Sequence, residues 1–365
     1  MDPRSRALAV LKGEKPDRVP WYGDLDYWLA YLRAEKLLPE RYQGDGLYQL
    51  HRDLGVGFYL QGYLPVRARY EGVRVTEETS GDLIITRVET PAGDLRSVEK
   101  YLPESYCRAY EERFVKDWRD LRALRYLYEH TYYEPDYDLA ARRYDLIGDF
   151  GLVLCYLPRS PLMEMLTVLL GIRAIIYIEA DAPDEFAETF AVLKRKTDEA
   201  SQIALHSPAE CLMIPENLSS ETVGKRLFNQ YVRPHDEEWV RRIKEAGKFS
   251  FIHMDGTLKG LIREVSATGF EVLEALTPAP VGDIPIEELR FWLSADCVIW
   301  GGIPGVYFTD LVSDEEFDAF VIRALAVMRR EPRYVLGVAD QVPPRSRWER
   351  IARVAELVEK HGQYE

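Results

Sequence analysis

A histidine and an aspartate stand two residues apart at the end of an apolar run, in the sequence "FSFIHMDG". Successive side chains of a strand point to opposite faces, so His253 and Asp255 share one face while Met254 takes the other. An imidazole and a carboxylate on one face can ligate a metal ion or transfer a proton. Each residue also has a purely structural interpretation. Asp255 with Gly256 is a turn signal by itself, and His253 could be a buried histidine whose hydrogen bonds are satisfied within the protein.

Polar and aromatic residues end most of the other apolar runs as well. If these runs are parallel strands of a barrel, their carboxyl ends surround one pocket, where the active sites of such folds are built. Several carboxylates in one pocket repel one another, so some must be protonated, paired with a cation or bound to a metal. The candidates at strand ends are Tyr22, Asp24, Asp149, Glu216, Asn217, His253, Asp255, Glu274, Trp300, Asp340 and Gln341.

Eight short apolar runs are strand candidates. They are "DRVPWYGD", "GVGFYLQGY", "DLIGDFGLVLCY", "ECLMIPEN", "FSFIHMDG", "FEVLEALTP", "DCVIWGGIPG" and "RYVLGVADQVP". From residue 147 onward they alternate with amphipathic helical segments, the pattern of parallel βα units. This order favours an α/β fold, a (β/α)8 TIM barrel, over the alternative of an open doubly wound sheet. No linker interrupts the chain, so residues 1–365 are predicted to form a single domain.

Apolar residues at three- and four-residue spacing predict helices beginning near Asp184, around Trp239, around Phe317 and from about Ser346. Residues 70–101 interrupt this pattern. They are rich in Thr, Val and Ile with turn signals at "SGD" and "PAGD", which predicts an antiparallel β insertion early in the barrel. The next stretch, "EHTYYEPDYDLAARRYD", is predicted to be a helix with a loop.

Composition limits the classes of function. The 365 residues carry a formal net charge of -14, and 47% of them are hydrophobic. An acidic average field repels nucleic acids and anionic membranes, so neither is an expected partner. The N-terminal "MDPRSRALAVLKGEKPDR" lacks the apolar stretch of a signal peptide, and we expect a cytoplasmic protein with four free cysteines.

The order of several motifs resembles the uroporphyrinogen decarboxylase superfamily. The resemblance rests on "RALAVLKGEKPDRVPW", "TPAGDL", "RFVKDWRDLRAL" and "LMIPENLSSETVGKRLFNQYVRP" in the first two thirds of the chain. It continues through "FIHMDGTLKGLI", "GFEVLEALTPAPVGDIPIEELR", "VIWGGIP" and "VLGVADQVPPRSRWERIARVAELVEKHG". It implies a distorted (β/α)8 barrel with a deep cleft, a homodimer, and either a decarboxylase or a zinc-dependent, corrinoid-linked methyltransferase.

Two departures from the family patterns shape the functional prediction. The decarboxylase carries an Arg-rich N-terminal motif, whereas this chain has "DRVPWYGDLDYWLAYLR", whose acids would repel a substrate with many carboxylates. The methyltransferases place His-x-Cys and a further Cys as zinc ligands, and here His253, Asp255 and Asp340 stand at those positions. The resemblance implies zinc, while carboxylates in place of thiolates also suit the harder ions Mn²⁺, Fe²⁺ and Mg²⁺.

We therefore predict a metal-dependent methyltransferase of the demethylase type, which passes a methyl group from a small organic substrate to a corrinoid protein. His253, Asp255 and Asp340 hold the metal, and Glu216 or Glu274 handles the proton. The predicted substrate contacts are Tyr22, Asp149, Asn217 and Trp300. One alternative is a cofactor-free decarboxylase or lyase in which Asp24 and other carboxylates protonate a carbanion. Another is a non-catalytic protein that binds a tetrapyrrole or corrinoid.

Overall fold

The computed structural model describes residues 1–59 and 63–364. Within these residues the strands are β1 (Trp21–Tyr22), β2 (Phe58–Tyr59), β3 (Val66–Tyr70), β4 (Arg74–Ser80), β5 (Leu83–Thr90), β6 (Gly93–Leu102), β7 (Cys107–Glu112), β8 (Thr131–Pro135), β9 (Gly151–Leu152), β10 (Leu154–Tyr156), β11 (Cys211–Leu218), β12 (Phe249–Met254), β13 (Val272–Leu276), β14 (Val298–Pro304) and β15 (Tyr334–Ala339).

The α-helices in the same residues are α1 (Pro3–Leu11), α2 (Asp26–Ala34), α3 (Gly46–Leu54), α4 (Leu121–Glu129), α5 (Asp138–Ile147), α6 (Pro161–Glu164), α7 (Ile172–Asp181), α8 (Pro183–Leu205), α9 (Lys225–Leu227), α10 (Arg233–Glu245), α11 (Ile262–Ser266), α12 (Asp314–Met328) and α13 (Trp348–His361). Contacts group these elements into two compact units. The first unit is Met1–Tyr63, Asp138–Tyr156 and Pro208–Glu365, and the second is Leu64–Tyr137 and Leu157–Ser207.

The first unit contains a seven-stranded parallel sheet in the order β1-β15-β14-β13-β12-β11-β10. A second parallel pair joins β2 to β9. Strands β12 and β13 are buried along almost their whole length, as expected where parallel strands are covered on both faces. The mixed α/β class predicted from the sequence is confirmed. Each predicted apolar run contains a strand, although Leu60–Gly62 of "GVGFYLQGY" lie outside the described residues.

The second unit contains the antiparallel strands predicted for residues 70–101. Strands β4, β5, β6 and β7 form a four-stranded antiparallel sheet, so the insertion extends one strand beyond its predicted end. Strand β8 pairs with β3, also antiparallel. The helix predicted between residues 129 and 145 is therefore partly wrong, because Thr131–Pro135 is extended and only α5, which belongs to the first unit, is helical.

The predicted helices correspond to α8, α10, α12 and α13. Helix α12 begins where Ser313 accepts from the backbone N–H of Glu316 and the Glu316 carboxylate accepts from the Ser313 N–H. This capping box satisfies two backbone donors that a helix start leaves without partners. Among the described residues, no single helix is long and apolar enough to cross a membrane. One pair of helices, Pro161–Leu169 and Ile172–Asp181, reaches that length and composition together, but the pair is bent by 119°.

Candidate metal centre

His253 and Glu274 meet because their strands are in register. His253 of β12 lies opposite Glu274 of β13, and residues opposite one another in a parallel pair point to the same face. The His253 Nδ1 atom is 2.6 Å from Glu274 Oε2. Glu274 is fully buried and His253 is 8% exposed, so water contributes little to this contact. The carboxylate therefore fixes both the position of the imidazole and the nitrogen, Nε2, that faces Asp340.

A tyrosine from β2 holds the other oxygen of the same carboxylate. The Tyr59 hydroxyl donates to Glu274 Oε1 at 2.8 Å. Tyr59 is itself buried, and its ring packs on Trp300 with centroids 5.0 Å apart. The result is a chain of hydrogen bonds, Tyr59 to Glu274 to His253, in which each group orients the next.

His253, Asp255 and Asp340 form a cluster that could hold a metal ion, since one ligand atom from each lies within 4.8 Å of the other two. Asp255 directly follows β12 and Asp340 directly follows β15, so both leave the carboxyl edge of the parallel sheet. The His253 Nε2 atom is 3.7 Å from Asp340 Oδ1. These three residues are the metal ligands predicted from the sequence, and they lie together in the structure.

The carboxylates around His253 dominate its electrostatics. Burial disfavours the charged imidazolium, but Glu274, Asp340 and Asp255 outweigh burial and raise the pKa of His253 to about 10. Burial also raises the pKa of Asp340 to about 6, against the opposing attraction of His253. Without another cation, His253 therefore carries the proton that balances its acidic neighbours. A divalent cation would supply that balance instead.

The donor set fits a divalent cation. An imidazole nitrogen and two carboxylates are ordinary ligands for zinc and for harder ions, and three protein ligands leave a position open for a substrate. Bonds of about 2.0–2.2 Å put neighbouring ligand atoms up to about 4 Å apart, so small carboxylate rotations close the cluster on an ion. Glu274 supplies the carboxylate that typically orients a ligating histidine from behind.

Asp24 is also close to this cluster. It follows β1 at the same edge of the sheet and is 6% exposed. Its Oδ1 accepts from the Asp26 backbone N–H at 2.9 Å, while its buried Oδ2 has no partner among the described residues. Burial, with the added repulsion of Asp26, Asp340 and Glu274, holds the pKa of Asp24 well above its usual range.

Two predicted substrate contacts are core residues. Tyr22 and Trp300 are fully buried, and their ring centroids are 5.0 Å apart. The Tyr22 hydroxyl donates to the Pro3 carbonyl of α1 at 2.9 Å. Neither ring offers an open surface, so these two predicted substrate contacts instead form a packed layer that supports Tyr59.

Three further predicted residues are not brought to the cluster. Asp149 precedes β9 instead of following a strand, is 71% exposed and pairs with Arg52 at 3.0 Å, so its predicted position at a carboxyl end is wrong. Glu216 is fully buried against Asp236 of α10, whose pKa it raises beyond the effect of burial. Asn217 is exposed at the adjacent irregularity of β11, with φ at 54°.

Sequence reasoning missed Tyr59 and Arg143. Tyr59 lies in a predicted strand, but its partner Glu274 is 215 residues away, and no spacing rule connects them. Arg143 lies within the stretch predicted as a helix with a loop, and it lines a small cavity together with Asp24 and Tyr59. In both cases the signal was a polar group on an otherwise apolar face, which becomes specific only when the strand order is known.

Fold and site together define an α/β protein with a candidate metal centre at the carboxyl edge of its parallel sheet. The family model for uroporphyrinogen decarboxylase (URO-D) matches residues 166–361, more than half of the chain. The chain belongs to the uroporphyrinogen decarboxylase family, as the motif order predicted. No curated protein matches the sequence.

The fold is similar to that of a solved methyltransferase from Methanosarcina mazei. The two share 12% identity, 99% of each chain is covered, and the TM-score is 0.65. At this identity the match shows the fold alone. A 3-dehydroquinate dehydratase from Geobacillus kaustophilus HTA426 matches 62% of this chain and 74% of its own at 11% identity, with a TM-score of 0.31, too low to carry an argument.

Proposed function

We propose that the protein is a metal-dependent methyltransferase of the demethylase type, acting on a small organic substrate and passing the methyl group to a corrinoid protein. The observation that carries the proposal is the engagement of His253 Nδ1 by Glu274, which leaves Nε2 free to ligate a metal beside Asp340. Family membership and the methyltransferase fold support it.

Each residue of the site has a defined task in this proposal. His253, Asp255 and Asp340 would hold the cation, which when bound polarises the substrate oxygen and makes it a better leaving group. Glu274 orients His253 and increases its basicity as a ligand, so its role differs from the proton transfer predicted for it. Tyr59 keeps Glu274 in place. Buried Trp300 packs against Tyr59 and excludes water from the rear of the site.

The metal is either zinc, by family resemblance, or a harder ion. Two carboxylates and one imidazole suit Mn²⁺, Fe²⁺ or Mg²⁺ better than the thiolate-rich sites of the methyltransferase relatives. Elemental analysis of protein purified without added metal or chelator tests the proposal, and we expect near-stoichiometric divalent metal. Folded protein that holds no metal and cannot be reloaded would contradict it.

Substitutions within one short stretch sharpen this test. His253→Ala should abolish metal binding, because too few donors remain. Asp255→Asn keeps the shape and removes the charge, so metal affinity should fall while the protein stays folded. Met254→Leu is the matched control, since Met254 is fully buried, pairs with Leu218 and lies on the opposite face of β12. If His253→Ala and Asp255→Asn both keep the wild-type metal content, the metal lies elsewhere.

A second candidate is a cofactor-free decarboxylase or lyase. The buried Asp24, whose pKa is well above its usual range, favours it, because a carboxylic acid that stays protonated can deliver a proton to a carbanion. The same elemental analysis separates the two candidates. Activity that survives chelation and is lost in Asp24→Asn would favour the lyase.

The partners are part of the same proposal. A corrinoid acceptor predicts that the protein methylates cob(I)alamin when offered a panel of small methyl ethers, which absorbance spectroscopy detects as methylcobalamin. Family resemblance further suggests a homodimer and a cytoplasmic location. Sedimentation of monomers alone across micromolar concentrations would contradict the dimer.

We also propose that the strands close into a distorted eight-stranded barrel. Tyr22 of β1 bridges in parallel to Gly57, directly before β2, and β2 pairs with β9, which leads into β10 of the large sheet. These pairings would complete the ring between the two outer strands of the seven-stranded sheet. An experimental structure in which β1, β2 and β9 form one continuous sheet would confirm the closure, and one with an open edge at β1 would contradict it.

A further inference from the structure

A small cavity lies beside the candidate metal centre. Its volume is about 60 Å³, and its lining includes Asp24, His51, Phe58, Tyr59 and Arg143. Tyr59 connects the cavity to the centre, because its hydroxyl donates to the Glu274 carboxylate that holds His253. Asp24 also lies at the carboxyl edge of the sheet, where the carboxylates of Asp340 and Glu274 repel it, so a group bound in the cavity would lie beside the proposed metal.

Arg143 presents a fixed donor to this cavity. Its Nε donates to the Tyr48 hydroxyl at 3.0 Å, and its guanidinium lies over the rings of Phe58 and Tyr63 at 5.7 and 5.9 Å. The Nη1 atom is buried and has no acceptor among the described residues. A buried charged donor without an acceptor is costly, so the arrangement suits a ligand that supplies one.

Asp24 also presents to this cavity a buried polar atom that has no hydrogen-bond partner in the described parts of the chain. Its Oδ2 is buried while Oδ1 is held by the Asp26 N–H, so the carboxyl group cannot turn away without losing that bond. His51 adds no charge, because burial lowers its pKa to about 4 despite the contact of its Nδ1 with the Val56 carbonyl, which favours the charged form. The Asp26 carboxylate also lines the cavity and is attracted by both Arg33 and Arg143, and Gly23, Leu25 and Leu47 complete the lining.

We propose that the cavity binds the carboxylate of the substrate, with Arg143 donating to one oxygen and one proton shared between the other oxygen and Asp24. This inference rests on the proposed function for its location, since it names the substrate class as a small methylated carboxylic acid. A guanidinium is the usual partner of a carboxylate, and an O–H···O bond between two carboxyl groups needs one proton for the pair.

Charge and size both favour this ligand over a cation. A cationic head group would face the Arg143 guanidinium at short range in a buried site, where like charges repel strongly. A neutral ether oxygen could accept from Nη1 but offers nothing that engages Asp24. The volume of about 60 Å³ is enough for a carboxylate with little else, so the rest of the substrate would extend toward the metal centre.

Three probes of similar size test the inference by binding alone. Methoxyacetate, 2-methoxyethanol and 2-methoxyethylamine carry the same methyl ether with an anionic, a neutral and a cationic end. Titration calorimetry on the full chain, both metal-loaded and chelator-treated, should show that methoxyacetate binds at least about tenfold more tightly than the other two. The order should persist after chelation, because Arg143 and not the metal holds the carboxylate.

Substitutions separate the two polar groups. Arg143→Gln should weaken methoxyacetate binding by at least about tenfold, the usual effect of losing a hydrogen bond to a charged group. Arg142→Gln is the matched control, since Arg142 is the exposed neighbour on α5, pairs with Asp45 and does not line the cavity. Asp24→Asn should retain methoxyacetate binding, because the amide N–H can donate where the shared proton did.

The opposite pattern would overturn the inference. A preference for 2-methoxyethylamine that Asp24→Asn removes would identify a cation site, and the absence of methoxyacetate binding at millimolar concentration would show that the cavity is closed to ligands. Failure of this inference can be distinguished from failure of the proposed function. If a protein that never holds metal still binds methoxyacetate through Arg143, the methyltransferase mechanism is wrong and the carboxylate site stands. If the protein holds metal but its binding of methoxyacetate does not depend on Arg143, the carboxylate site is wrong and the mechanism stands.

Discussion

Replacing Tyr59 by phenylalanine tests whether the hydrogen-bond chain behind His253 determines metal affinity. The substitution removes one hydroxyl from a buried ring and leaves its contact with Trp300 intact. Glu274 Oε1 then loses a donor at 2.8 Å, and because Glu274 is fully buried, bulk water cannot readily replace it. Loss of a hydrogen bond to a buried charged group costs about 1.5–3 kcal/mol of folding free energy.

The effect on the metal should be of similar size. Removing a partner that orients a ligating histidine typically lowers metal affinity about 10–100-fold, which is about 1.4–2.8 kcal/mol. Competition against a chelator of known affinity measures the metal term at constant pH. Urea unfolding of the chelator-treated protein measures the stability term separately.

Tyr177→Phe is a suitable control because Tyr177 is 57% exposed, so its hydroxyl can exchange protein contacts for water. We expect it to change neither quantity beyond error. If Tyr59→Phe lowers stability but leaves metal affinity unchanged, Tyr59 is only a packing residue, and the assignment of Glu274 as the group that orients His253 is wrong.

Three other predictions follow from the same geometry. Metal affinity should rise about tenfold per pH unit as pH increases toward 10, since the metal must displace a proton from His253. The rise should be steeper below about pH 6, where Asp340 also binds a proton. Chelator competition at several pH values measures both slopes. Gly301→Ala should destabilise the protein by about 1–3 kcal/mol in urea unfolding, because its Cβ would lie 2.6 Å from the Leu276 carbonyl oxygen and its φ is 147°. Glu216→Gln should leave metal affinity within about threefold of wild type, and a larger loss would place Glu216 in the site after all.

The dependence of stability on pH should change when the metal is removed. In metal-free protein the folded-state pKa of His253, about 10, lies above the ordinary value of 6.5, so its stabilising contribution is complete below about pH 6.5 and is lost as pH rises through 10. The pKa of Asp340 is raised from 3.8 to about 6 in the folded protein. Stability therefore falls further as pH rises between those two values, because the folded protein must give up this proton. In metal-loaded protein His253 carries no proton, so the tighter binding at higher pH offsets this loss and stability should stay level between pH 6.5 and 10.

The sequence could predict the candidate ligands because each depends on local rules. Alternation along β12 puts His253 and Asp255 on one face, and parallel strands bring Asp340 to the same edge. The contact between His253 and Glu274 depends on strand register, which local spacing does not specify. The β3–β8 pair was missed for a related reason, since Thr131–Pro135 is short and polar and its partner strand lies more than 60 residues earlier.

Glu216 and Glu274 show how far such reasoning extends. Both acids lie near the carboxyl ends of the two strands that flank β12, and each is followed by a residue with positive φ, Asn217 at 54° and Ala275 at 65°. In β13 the irregularity begins after Leu273, and Glu274 keeps its pairing with His253, so its carboxylate stays on the cluster side. In β11 the register shifts between Ile214 and Leu218, so Glu216 has no regular partner on β12 and meets Asp236 of α10.

A shift of one residue turns a strand side chain to the opposite face. The two acids could therefore not be distinguished by type, spacing or position in the strand. Only the location of each bulge separates Glu274, which orients a candidate metal ligand, from Glu216, which is buried beneath a helix. The same logic gives the bulges a function. The irregularity beside Glu274 depends on Gly301, whose missing Cβ lets Leu276 approach, so a glycine in β14 helps to place a carboxylate that acts on β12.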